Sequence, residues 1–452
     1  MRGAFPAMTS DSGYGRGTAV LSVGIGVTGL VTYAYFSLAS YGLSASEYGG
    51  ITLLWSAIFF VVSVLYRPVE QLLSRTIAER DARAQTGNEH LRVAATIQLG
   101  LGAAFVVLAL LFRGPIEEGL LGGSSALYAI LIVAVLAYAA SYFARGFLAG
   151  SRSFGLYGGL VLMEALSRCL FAAAVVVGLF SGQTVVALGM AAAPIVSLAV
   201  VPWAISRRVR AGAPGPSGTP RVSESRPIEP AAAPEPSASG PGTETEFTLS
   251  QGGGFAAAVL LVMVSEQTFL NAGPLIVAAT GGAQGVALAG LAFNVLLIAR
   301  APLQLFQSVQ TAILPHLTRL TASGERDPFR RSVNLTLLAI ALFAAVVALG
   351  LLALGPFVMG RLFGGDVVYG RGGLVLVGIG MGLYLAAATL NQAALARGQA
   401  PVAAACWVSS AVGFVLLLLM PGFEDRVLQL ELAFVAGAAV LCALLGVLYR
   451  RA

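Results

Sequence analysis

Apolar runs of about twenty residues, each long enough to cross a hydrocarbon layer about 30 Å thick, recur twelve times along the chain. Six fall at roughly 18–39, 48–66, 92–112, 125–146, 156–180 and 184–205. Six more fall at roughly 253–278, 285–312, 331–354, 371–394, 401–420 and 429–449. Short stretches bearing Gly, Pro and Arg separate them. The pattern predicts an all-α membrane protein of about 12 transmembrane helices in two lobes of six, residues 1–210 and 251–452. Between the lobes, "RAGAPGPSGTPRVSESRPIEPAAAPEPSASGPGTETEF" holds almost no large apolar residue. It cannot bury a core, so 211–250 is expected to be a disordered linker.

Composition supports this reading. The chain is 57% hydrophobic and 11% charged, against roughly 25% charged in soluble domains. All 27 basic residues are Arg. With an Arg at the very end of a span counted in the adjoining loop, 21 of them lie on the side that carries both termini, four lie on the other side, and Arg168 and Arg300 lie deep inside spans. Basic loops stay cytoplasmic, so the termini and linker are expected in the cytoplasm and the protein in the cytoplasmic membrane. "MRGAFPAMTSDSGYGRG" leads into a full-length span, unlike the short apolar core of a cleaved signal. The net charge of +6 is spread over short loops, which suits lipid head groups and topology rather than nucleic acid.

Several chemistries are disfavoured. Without Lys there is no Walker A motif. The two His, His90 and His316, fall near loops, and Cys169, Cys406 and Cys442 show no pairing or metal-ligand spacing. No enzyme, cofactor or metal site is expected. "EQLLSRTIAERDARAQTGNEH" reads as an amphipathic interfacial helix.

Polar residues inside the spans are the candidate site, because ionisable groups at membrane depth mark substrate or ion paths. Span 5 carries Tyr157, Glu164 and Arg168, seven and four residues apart and so on one face. Span 7 carries Glu266 and Asn271 in "MVSEQTFLNAGP", where Pro274 can bend the helix. Span 8 carries Asn294 and then a stripe of Arg300, Gln304, Gln307 and Thr311 around Pro302. Simpler readings exist for each. Glu164 and Arg168 can neutralise each other at i, i+4, Arg300 can snorkel to the surface, and the stripe can be hydrogen bonding between helices. Taken together, spans 5, 7 and 8 point to a wet cavity between the lobes. Two Arg with two Glu there suit a phosphate, which the planar fork of Arg binds well.

The order of "RPVEQLLSRTIAE", "RGFLAGSRSFGLYG", "ARAPLQLFQSVQTAILPHLTRL" and "GPFVMGRLFGGDVVYG" resembles the polysaccharide-biosynthesis (Wzx-type) flippases of the multidrug/oligosaccharidyl-lipid/polysaccharide exporter superfamily. The resemblance spans nearly the whole chain apart from the N-terminal tail and the linker. It implies a V-shaped, two-lobe carrier that moves a polyprenyl-(pyro)phosphate-linked oligosaccharide by alternating access. Arg300 and Arg168 would meet phosphate. Glu164 and Glu266 would tune those charges or carry a coupling cation, proton or sodium. Asn271, Asn294, Gln304 and Gln307 would line the sugar path. Membrane lipids and glycosyltransferases or a polymerase are the implied partners. The alternatives are a multidrug/cation antiporter and a non-transporting scaffold for glycosyltransferases. Multidrug antiporters commonly carry an acid in span 1, and "TAVLSVGIGVTGLVTYAYFSLAS" has none.

Overall fold

A computed structural model describes residues 12–82, 87–151, 153–199, 249–298, 326–364 and 369–451. Helices account for nearly all of them, and no strand occurs among the described residues. In chain order they are α1 (Ser12–Gly42), α2 (Ala45–Leu65), α3 (Arg67–Ala82), α4 (Glu89–Leu111), α5 (Ser125–Gly150), α6 (Phe154–Val176) and α7 (Gln183–Ser197). After the gap come α8 (Leu249–Gln267), α9 (Gly273–Thr280), α10 (Gly282–Ile298), α11 (Arg326–Leu362), α12 (Arg371–Ala396), α13 (Ala400–Leu419) and α14 (Arg426–Arg451). Each of the twelve expected spans falls on helix over its described residues, and α8 begins at Leu249, inside the expected linker; the rest of that linker lies outside the described residues.

Helices before residue 200 pack mainly on one another, with α6 against α1 and α7, and α5 against α2, α3 and α7. Those after 248 do the same, with α12 between α11 and α14, and α13 against α8 and α14. Each half has an aromatic centre. In the first it joins Tyr35, Phe36, Trp55, Phe59 and Tyr138. In the second it joins Phe269, Tyr384, Trp407, Phe414 and Phe434. Glycine makes room there: a Cβ on Gly437 would lie 2.8 Å from the Phe269 ring.

α2 is buried along most of its length and lies between the halves. It opens with a capping box, in which Ser44 and Glu47 satisfy each other's backbone donors. At Tyr66 it passes into α3, whose Pro68 sits in the first turn, where a missing N–H breaks no helical bond. α3 is not a free interfacial helix. Its Val69, Leu73 and Ile77 are buried, with Ala94 of α4 and half-buried Phe143 and Phe147 of α5 packed around them. Gly146 and Gly150 let α5 touch it, since a Cβ would lie 2.9 Å from Glu70 O and 2.8 Å from Ser74 O respectively. Between α8 and α9, Thr268–Ala272 forms a π-helical turn just before Pro274, the interruption the sequence led us to expect in span 7.

Among the described residues, five hydrogen bonds join the two halves. Tyr33 donates to Leu297 O, Ser37 to Leu362 O, Tyr41 to Arg361 O, and Tyr48 to the Asn294 side chain, while Gly364 N donates to Ser40. They gather toward the end of the bundle where α1 finishes and α2 starts. This far end is opposite the terminal end, where α1 starts and α14 finishes.

Candidate functional site

Glu164 and Arg168 leave the same face of α6 but do not pair. Glu164 is 1% exposed and Arg168 4% exposed. The Glu164 carboxylate takes an ion pair from Arg145 and a hydrogen bond from Ser141, both on α5, with Ser197 of α7 at 3.4 Å. Arg145 stands at the very end of the expected span 125–146, where its charge counts with the adjoining loop. The helix runs on to Gly150 and carries it inside. A buried carboxylate needs such partners, since an unpaired one would be neutralised or strongly destabilising.

Arg168 turns the other way. It donates to the Tyr138 hydroxyl at 2.6 Å, and its guanidinium carbon lies 5.0 Å from the Trp55 ring centre and 5.9 Å from that of Phe59. Trp55 and Phe59 are i, i+4 on α2, so one helix face supplies both rings. Arg168 Nε has no hydrogen-bond partner. Cation–π contacts are worth about 2 kcal/mol or more when desolvated, which offsets only part of the cost of the buried charge. No carboxylate lies within ion-pair distance of Arg168 among the described residues.

Toward the terminal end lies a second charged group. Tyr157 donates to Glu70 at 2.9 Å, and Glu70 is within electrostatic reach of Arg145 and Arg67. Arg67, at the α2–α3 junction, also feels Glu266 of α8 across the interface between the halves. Glu164 is ion-paired with Arg145, while Glu70 and Glu266 lie within electrostatic range of Arg145 and Arg67 without a direct ion pair among the described residues. Asn271, in the π-helical turn, is buried and donates to Gln267 at 2.9 Å.

Asn294 stands apart from these groups. It is 2% exposed, accepts from Tyr48, and donates to the Tyr369 hydroxyl at 3.0 Å. It is a contact between halves at the far end rather than part of the lining around Glu164. Arg300, Gln304 and Gln307 lie outside the described residues. Arg145, Arg67, Glu70 and Tyr138 complete the arrangement without having been singled out from the sequence. Arg67 and Arg145 both stood at span ends, where window-based boundaries assign them to loops.

No family profile and no curated protein matches the chain. Solved structures do. The Vibrio cholerae MATE transporter VcmN, in its bent form, aligns with a TM-score of 0.57 at 16% identity over 98% of this chain and 98% of that one. The eukaryotic MATE transporter AtDTX14 gives 0.60 at 18% identity over 97% and 96%. An inward-facing multidrug resistance MATE family transporter of the MOP superfamily gives 0.62 at 12% identity over 96% and 97%. The fold is that of the MATE transporters. Near-complete coverage of both chains extends the MATE-like likeness to both halves. Nine helices among the described residues are long and apolar enough to span a membrane, with shorter apolar helices at Gln183–Ser197 and Gly282–Ile298, so the chain is a multi-pass membrane protein.

Proposed function

We propose that the protein is a flippase that carries a polyprenyl-(pyro)phosphate-linked oligosaccharide across the cytoplasmic membrane by alternating access, with its termini on the cytoplasmic side. The observation that carries this reading is the contrast on α6. Glu164 is engaged by Arg145, whereas Arg168 is buried at membrane depth with an aromatic box and, among the described residues, no carboxylate in ion-pair reach. A guanidinium without a carboxylate suits an anionic cargo, and a fully engaged carboxylate does not suit a cationic one. Trp55 and Phe59 cover Arg168 in this state, so phosphate would reach it when α2 moves with the opening of the halves. Arg300 would be the second phosphate ligand. The head group would travel between the halves while the lipid tail stays in the bilayer, which avoids dragging a solvated sugar through hydrocarbon.

The test is mass spectrometry of polyprenyl-linked sugars in cells depleted of the protein, with restoration by the intact chain, Arg168→Ala or Arg300→Ala. Accumulation of one intermediate, relieved by the intact chain and not by either variant at equal expression, is expected. Normal transport by both variants would sink the proposal. One observation favours a cation antiporter: the surplus carboxylate among Glu70, Glu164 and Glu266 around Arg67 and Arg145. Dye efflux that depends on a cation gradient and on Glu266, with no sugar-lipid accumulation, would establish that alternative.

A further inference from the structure

We infer that Tyr48, Asn294 and Tyr369 form the latch of a gate that closes the far end of the path between the halves. The inference rests on the alternating-access reading above. Asn294 is one buried side chain that ties three segments, since it bonds Tyr48 of α2 and Tyr369, just before α12, from its own place on α10. Around it the backbones of the two halves touch. A Cβ on Gly49 would overlap Val286 O, and one on Gly290 would lie 3.0 Å from the Tyr48 ring and 3.4 Å from Gly49 Cα. α1 adds a stripe of hydrogen-bonding side chains at Tyr33, Ser37, Ser40 and Tyr41. That spacing of four, seven and eight keeps them on one helical face.

The chemistry suits a gate rather than a permanent weld. Each of these five contacts is a hydrogen bond between hydroxyl, amide and backbone groups, with no ion pair among them. Hydrogen bonds between membrane helices are individually weak, so the seam can part in steps. Each half keeps its own aromatic centre; the ring contact across the seam, Phe36 with Phe293 at 4.5 Å, would part with the hydrogen bonds. The close glycine contacts leave no room for a head group at this level, so a cargo leaving by the far end must open it.

The experiment uses the full chain in vesicles, with Cys169, Cys406 and Cys442 replaced by Ala and one cysteine placed at Ser37→Cys and one at Leu362→Cys. A short bis-methanethiosulfonate reagent should bridge the pair rapidly. Adding Tyr48→Phe or Asn294→Ala should slow bridging about three- to tenfold, the effect of losing one or two interhelical bonds. Tyr48→Phe keeps the ring, so it separates the latch from a packing defect. Bridging should stop transport, and a reducing agent should restore it. Unchanged bridging in both variants would overturn the latch, as would full transport by the bridged protein. Bridging that follows the expected order while no sugar-lipid moves in any sample would uphold the latch and remove the cargo reading.

Discussion

The two aromatic centres use the same materials for different ends. In the second half, Phe269 and Phe414 stack at 5.0 Å, and Tyr384 and Trp407 meet edge to face at 5.6 Å. In the first half, Trp55 packs tilted against Phe59 at 4.1 Å, and Tyr138 meets Phe59 at 5.5 Å, but a guanidinium is set among them. An aromatic face carries partial negative charge, so a ring cluster can be a dry core or a partial counter-charge for a cation. The second centre uses only the first property among the described residues; the cation–ring contacts of that half, Arg397 over Phe329 and Tyr449, lie outside the centre. The difference teaches that the Arg168 box is not required for a MATE-like half to pack, and that its charge has to be explained by use.

Substitutions can break or sharpen that contrast. The largest effect is expected at the pure core: Phe269→Ala should destabilise the protein by about 3–5 kcal/mol through an unfilled cavity, read as a lowered thermal midpoint in detergent. Glu164→Ala should cost about 3–5 kcal/mol by stranding Arg145, and Glu164→Ala combined with Arg145→Met should recover much of it. Tyr138→Phe should lose about 1.5–3 kcal/mol, the range for a hydrogen bond to a charged group. The smallest stability effect should come from Arg168→Met, which makes the first centre resemble the second. Its stability should stay within about 1–2 kcal/mol of the parent or rise, as when buried charges give way to apolar groups, while transport is lost. A large loss of stability with transport retained would reverse the assignment of Arg168 from use to structure.

The helices were legible because twenty-residue apolar runs admit little else at this composition. The pairing of charges was not. The i, i+4 spacing of Glu164 and Arg168 allows a bond within α6, yet Glu164 finds a better-supported partner on α5 and Arg168 finds rings on α2. Neither choice is encoded in spacing, because both depend on which helices are neighbours. Arg145 was hidden for a related reason. Gly146 and Gly150 let α3 lie against the end of α5, so α5 keeps its helix past the apolar window and draws an Arg inward. Asn294 was visible as a polar residue at membrane depth, but only the approach of Tyr48 and Tyr369 shows it binding two halves together.

The union of α2 and α3 has a mechanical consequence. From Ala45 to Ile77 the two helices run on as one stretch of 33 residues, apolar in α2 and charged in α3, about 50 Å long at 1.5 Å per residue. Its far end is pressed against α10 at Gly49, and its terminal end is gripped by α5 at Gly146 and Gly150. Such a rod works as a lever. A tilt of about 10° about the end held by α5 would move the opposite end by about 9 Å over that length, enough to carry Tyr48 off Asn294. Opening at one face and rearrangement at the other would then be a single motion of a stiff beam, with its leverage set by helix length.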